Sequence, residues 1–160
     1  MGYTHYWYRK PELNTAEQYG RLALDAKLLL DEAKSRGLLV ADWSGETLDG
    51  YEFNEGRFAF NGYRAESHES FIWQAIPTID RQYEGETFDF CKTAHKPYDQ
   101  LVTAVLLRAK YHYGDAVRLA SDGFLDNWIL GVNLYETVFA EAIPDSEIVS
   151  LVRKEVEVNS

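Results

Sequence analysis

Two hydrophobic periods take turns along this chain, and their order constrains the fold more than any other feature. Tyr3 to Tyr8 alternates as a strand does, with Tyr3, His5 and Trp7 on one face and Thr4, Tyr6 and Tyr8 on the other. Beyond Pro11 the period lengthens to that of a helix: Leu22, Ala23, Ala26, Leu29, Leu30 and Ala33 form one stripe. Asn14 and Glu17 have the form of a capping box, and Gly37 stands where a left-handed C-cap is expected. Leu38–Trp43 and Phe58–Phe60 read as strands, Asn61-Gly62 as a turn, and Phe71–Ala75 as a further apolar strand. After a polar turn over Asp80–Glu86, alternation returns in Phe88–Thr93.

Pro97 then suits the first turn of a helix, with Asp99 where the macrodipole favours an acid and Leu101, Val102, Val105, Leu106 and Ala109 as the buried stripe. Val117–Ala120 is a short strand, and Ser121 or Asp122 caps a last helix striped by Leu125, Trp128, Val132, Tyr135 and Phe139. Leu101, Val105, Leu106, Trp128, Val132 and Phe139 are the predicted core. The order β-α-β, two central strands, β-α-β-α predicts an α+β fold: a single domain over residues 1–143, built on one mixed β-sheet with helices mainly on one face. It places β-α-β units at both ends, each with a right-handed crossover. Residues 144–160 form a C-terminal extension with no assigned structure.

Charge narrows the partners. A net charge of −10, from 26 acidic and 16 basic residues, opposes general binding to nucleic-acid backbones. One cysteine, Cys91, excludes an internal disulfide and a cysteine-based zinc site and fits a reducing compartment. The N-terminus has no secretory pattern, and no apolar run approaches the roughly 20 residues of a membrane span. The expectation is a cytoplasmic protein that does not enter a membrane, with a homo-oligomer left open.

Chemistry concentrates at two strand-to-helix junctions. Lys92, His95 and Lys96 precede the Asp99 helix, where cations run against the macrodipole unless an anion is bound. Ser121-Asp122-Gly123 is the second junction; if the two strands lie side by side, both open on one sheet edge and share a pocket. The expected ligand-binding set is Lys92, His95, Lys96, Tyr98, Ser121 and Asp122, with Tyr98 or Trp7 stacking on a base. His5, Trp7, His68 and Glu69 are secondary candidates. The bland alternatives are solvated lysines paired with carboxylates, an ordinary helix cap and a core histidine. No spacing of the four histidines suggests a metal, no nucleotide-cofactor motif occurs, and Cys91 in mid-strand reads as a small buried hydrophobe.

Met1-Gly2-Tyr3-Thr4-His5-Tyr6-Trp7, the segment Asn61-Gly62 with His68-Glu69-Ser70-Phe71, Phe90-Cys91-Lys92-Thr93-Ala94-His95-Lys96-Pro97-Tyr98-Asp99 and Ser121-Asp122-Gly123 together resemble a family of small, uncharacterised bacterial and phage proteins. The resemblance covers about residues 1–140 and brings no activity with it. It implies a phage or mobile-element gene, a host-cytoplasmic protein and a counter-defence setting, with a host defence protein as one partner class. The residues themselves point first to binding, by sequestering or sensing, of a small phosphorylated, nucleotide-like ligand. Two alternatives stay open. One is an acidic inhibitor that docks residues 42–56 and 80–89 on a basic or nucleic-acid-binding host protein. The other is a hydrolase or phosphodiesterase acting on a nucleotide signal, with His95 or His68 as base and Asp122 orienting it.

Overall fold

The computed structural model describes residues 3–77, 82–83 and 85–154. Local sequence accounts for the first helix, α1 (Ala16–Ser35). Its capping box is set one residue later than the spacing of Asn14 and Glu17 suggests: Gln18 N–H donates to Thr15 Oγ1 (3.1 Å) and Thr15 N–H to Gln18 Oε1 (2.9 Å). Asn14 is drawn elsewhere, its side-chain amide donating to Ala75 O (2.6 Å). At the other end Gly37, at φ 97°, lets Leu38 N–H reach back to Ala33 O (3.0 Å), as a Schellman motif requires.

The α+β class holds, and the chain divides its strands between two sheets. β1 (Thr4–Arg9) is the middle strand of the larger one, antiparallel to β7 (Glu86–Lys92) on one side and to β8 (Val117–Ser121) on the other. β6 (Gln82–Tyr83) extends this sheet beyond β7, and β9 (Val152–Lys154) extends it beyond β8, pairing parallel. The smaller sheet is organised on β4 (Arg57–Gly62), which pairs with β2 (Val40–Ala41), β3 (Glu52–Phe53) and β5 (Phe71–Gln74). The expected single sheet is therefore corrected, and so is the N-terminal β-α-β unit, because β1 and β2 lie in different sheets. Both edges of β1 are already taken by β7 and β8. At the other end, β7 and β8 run parallel with β1 inserted between them, joined by α2 (Asp99–Tyr113).

Asn61-Gly62 is also corrected from a turn to the end of β4. Asn61 is buried and uses its side chain as a staple, donating to Trp43 O (3.0 Å) and His68 O (2.9 Å) and accepting from His68 N–H (3.1 Å). Gly62 fits because a Cβ there would stand 2.1 Å from Glu66 O. The start of the acidic 42–56 segment is tied down by Asp42, whose Oδ1 accepts from Glu46 and Thr47 N–H (3.2 and 3.1 Å). The polar turn at Asp80–Glu86 lies partly outside the described residues.

The core forms where α2 packs between α1 and α3 (Leu125–Phe139) and against β8. Leu101, Val105, Leu106, Trp128 and Val132 are buried in it, while Phe139 is only partly covered. Trp7 joins the two sheets, stacking on Trp73 (5.9 Å between centroids) and packing on Phe71 (5.1 Å). Arg9 is buried beside them, its guanidinium over Trp73 (4.4 Å) and donating to Gln74 O (2.6 Å). The extension adds α4 (Asp145–Leu151) and β9, with Ile148 reaching the core; residues 155–160 lie outside the described ones.

Candidate functional site

Because β7 and β8 both run antiparallel to β1, their C-terminal ends and the N-terminal end of β1 meet at one edge of the larger sheet. Residues far apart in sequence become neighbours there. His5 Nε2 lies 2.6 Å from Asp99 Oδ1, and His5 Nδ1 lies 2.8 Å from Ser121 Oγ. Thr93 Oγ1 donates to the same Asp99 oxygen (2.6 Å). Ser121 Oγ in turn accepts from Gly123 N–H (2.9 Å) and Trp128 Nε1–H (3.3 Å). One proton arrangement satisfies every contact: Ser121 O–H donates to Nδ1 of a neutral His5, and His5 Nε2–H donates to the Asp99 carboxylate. His5, Thr93 and Ser121 have no exposed surface, so Asp99, 13% exposed, is the end of this chain that meets solvent.

Tyr3 covers the other end. It is 3% exposed, stacks on His95 (3.7 Å between centroids) and sets its edge against His5 (5.0 Å). Its hydroxyl lies beside Ser121, near enough to feel that group but without the alignment of a hydrogen bond, and it has no partner among the described residues. Burial, reinforced by the Asp99 charge, pushes the phenol up, so it stays protonated. The tip of the ring fits only because residue 123 is glycine: a Cβ there would meet Tyr3 Oη at 2.5 Å. The turn that carries His95 is strained, with Ala94 and His95 both left-handed (φ 51° and 60°).

The structure redistributes the expected ligand set. Strand alternation turns Lys92 onto the face shared by Phe90 and Tyr6, away from His5 and Cys91. Asp122 bonds to Thr4 N–H (3.1 Å) and the Tyr6 hydroxyl (3.3 Å), the latter on that same outer face. His95 is exposed and Lys96 half-buried at the edge, and neither lysine makes an ion pair among the described residues. Tyr98 is fully buried, its hydroxyl donating to Glu69 O, and Trp7 is sealed between the sheets, so neither ring offers a face to a base. Ser121 is equally enclosed. His68 is exposed on a loop, and Glu69 is fixed to the end of β7 by accepting Lys92 N–H (2.7 Å).

The helix terminus also departs from expectation. Pro97 precedes α2 rather than opening it, and the N–H groups of Asp99, Leu101 and Val102 already donate to Lys96 O and Tyr98 O (2.9–3.1 Å). An anion at this edge would have to rely on side chains. The last helix is capped by Asn127, which accepts Phe124 N–H (2.8 Å), leaving Ser121 to the buried network. Burial pushes the Cys91 thiol up, which removes any thiolate reactivity. Thr93, Asp99 and Gly123 lie within the two junctions that sequence reasoning expected to share an edge, but not among its expected ligand residues, and Tyr3 and Trp128 were not expected at the site at all. The placement of Tyr3 and His5 on one strand face was a further local hint.

No group of three His, Cys, Asp or Glu side chains gathers as a metal site would among the described residues, and no described helix is long and apolar enough to cross a membrane. A separate apolar groove of about 680 Å³ lies between α1 and the β3–β4 turn, lined by Ala16, Gly20, Ala23, Leu24 and Phe53 among others. It shares no residue with the sheet-edge site. Gly20 sits exposed within α1 with nothing within 4 Å of where its Cβ would be. Gly20→Ala is therefore expected to raise the unfolding free energy by about 0.5–1 kcal/mol, read as a higher urea midpoint. Comparison with family models, curated proteins and solved structures finds no match to this chain.

Proposed function

We propose that the protein binds a small phosphorylated, nucleotide-like ligand at the edge where β1 begins and β7 and β8 end. The observation that carries this reading is the convergence of those three strand ends around Lys96, His95 and the hydroxyl of Tyr3. The cations there have no ion-pair partner among the described residues of a chain with net charge −10. Lys96 and His95 would meet a phosphate. Asp99 suits sugar hydroxyls, since a carboxylate held by two donors on one oxygen keeps the other for a ligand. Phosphate and hydroxyl recognition within one edge is what a nucleotide-like molecule requires.

The test is native mass spectrometry of the full chain purified from its producing cells, followed by calorimetric titration with AMP, ribose and inorganic phosphate. A retained phosphorylated small molecule, or AMP binding that weakens at least tenfold in Lys96→Glu with cooperative folding intact, is the expected result. If no retained ligand is found and AMP binding is absent or unchanged by Lys96→Glu, the reading is wrong.

A further inference from the structure

We propose that Ser121 is a nucleophile activated by His5, that Asp99 positions His5, and that Tyr3 is the gate over this centre. The substrate class is a carboxylic ester. The inference stands apart from the ligand reading above, because it rests on the buried relay and not on the lysines.

The first argument is the proton path. Ser121 Oγ lies 2.8 Å from His5 Nδ1 and His5 Nε2 lies 2.6 Å from Asp99 Oδ1; with the serine O–H donating to Nδ1, the imidazole can take the serine proton and the carboxylate stabilises the imidazolium that results. The two ring nitrogens exchange the roles they have in the serine proteases, which leaves the chemistry unaltered. Gly123 N–H and Trp128 Nε1–H donate to Ser121 Oγ and fix its position against His5, and one of them must release Oγ as it bonds to carbon. Oγ then forms a bond to the ester carbonyl carbon, and the C–O bond to the alcohol breaks. The alcohol departs with the proton held by His5. Water, deprotonated by His5, cleaves the acyl-serine and restores both residues.

The second argument is the gate. Ser121 has no exposed surface, and the phenol of Tyr3 packs beside it, edge-on to His5 (5.0 Å) with its hydroxyl 2.5 Å from where a Cβ on Gly123 would stand. That ring is held in a poor position: its hydroxyl is buried without a hydrogen bond among the described residues, and the His95 on which it stacks sits in a left-handed pair with Ala94. An unsatisfied buried hydroxyl and strained backbone both favour release of the ring. Tyr3 Oη occupies the space beside Ser121 and Gly123 where an ester would sit, so outward rotation uncovers the nucleophile and vacates its site together.

The experiment is labelling of the full chain with a fluorophosphonate, whose phosphorus takes the serine oxygen and releases fluoride, followed by intact mass and peptide mapping. Tyr3→Ala removes the gate, and Gly123→Ala displaces it by the Cβ clash, so two independent variants open the site should one fail to fold. Tyr3→Phe keeps the ring but removes the unpaired hydroxyl, and is expected to label no faster than wild type. The expected result is an adduct on Ser121 that forms at least tenfold faster in Tyr3→Ala or Gly123→Ala. It should slow at least tenfold in Asp99→Asn at the same folded fraction and vanish in Ser121→Ala. The proposal is overturned if Ser121 carries no adduct in any folded form of wild type, Tyr3→Ala and Gly123→Ala. It is equally overturned if opening the gate or removing the Asp99 charge leaves the rate unchanged.

Discussion

Between pH 10 and 12 the protein should lose stability steeply and unfold in one cooperative transition. Tyr3, Tyr19 and Tyr98 are buried, and burial raises each phenol above its ordinary value of 10, Tyr19 to about 12. Above pH 10 the unfolded chain releases these protons while the folded chain retains them, so rising pH favours unfolding. Each such group removes about 1.4 kcal/mol per pH unit until its folded value is reached. Cys91 acts in the same direction from about pH 9, its thiol raised by burial. Arg9 opposes them: burial lowers its guanidinium to about 10, so the folded state sheds that proton first and gains stability as pH rises.

Tyr113 and Tyr135, also buried and raised, act with the three phenols and the thiol, and Lys110, lowered by burial, acts with Arg9, so several net groups remain at about 1.4 kcal/mol per pH unit each, against a domain stability of about 5–15 kcal/mol. Circular dichroism against pH, recorded together with tyrosinate absorbance, should show the two signals moving as one. Tyr3→Phe, which has no hydrogen bond among the described residues to lose, should move the midpoint upward. Tyrosines that ionise near pH 10 in a still-folded protein would contradict the argument.

Trp128→Ala should lower the unfolding free energy by about 3–5 kcal/mol. Its indole is 1% exposed at the seam of α3 and the larger sheet, edge-on to His5 (5.1 Å), and its N–H is one of two donors to Ser121 Oγ. Truncation opens a cavity beside the one polar network that the core encloses at this edge, and the hydroxyl loses a partner in the same step. Trp128→Phe retains most of the volume and should cost less than half as much, which separates packing from the lost donor. Urea midpoints at constant m-value provide the measurement. A loss below about 1 kcal/mol for the alanine variant would mean that the seam collapses to fill the space.

Element type was legible because it depends on near neighbours. The stripe Leu22, Ala26, Leu29, Leu30, Ala33 is the buried face of α1, and Leu101, Val105 and Leu106 are buried in α2, since helical spacing alone puts them on one side. The alternation in Tyr3–Tyr8 likewise separates His5 and Trp7 from Tyr6. Caps shifted by one or more residues, from Asn14 to Thr15 and from Ser121 to the Phe124–Asn127 pair, because several polar residues at each junction could serve and tertiary contacts claimed some of them. Asn61-Gly62 failed as a turn for a similar reason: the side chain of Asn61 had backbone partners at Trp43 and His68 that no local pattern reveals.

What the sequence by itself determined about this protein is the three long helices and the longer strands, their inward faces and the two junctions where strand gives way to helix, while the short β3, β6, β9 and α4 left no local pattern. Only the tertiary structure decided that β1 enters between β7 and β8 and that β2 leaves for a second sheet. Strand order depends on which edges remain unpaired after the whole chain has packed, and periodicity carries no information about that. The same choice made the site. Inserting β1 between the two junctions brings His5 against Asp99 and Ser121, 94 and 116 residues away, and lays Tyr3 beside them. It also turns Lys92 to the far face, because in a strand each successive side chain must point the opposite way.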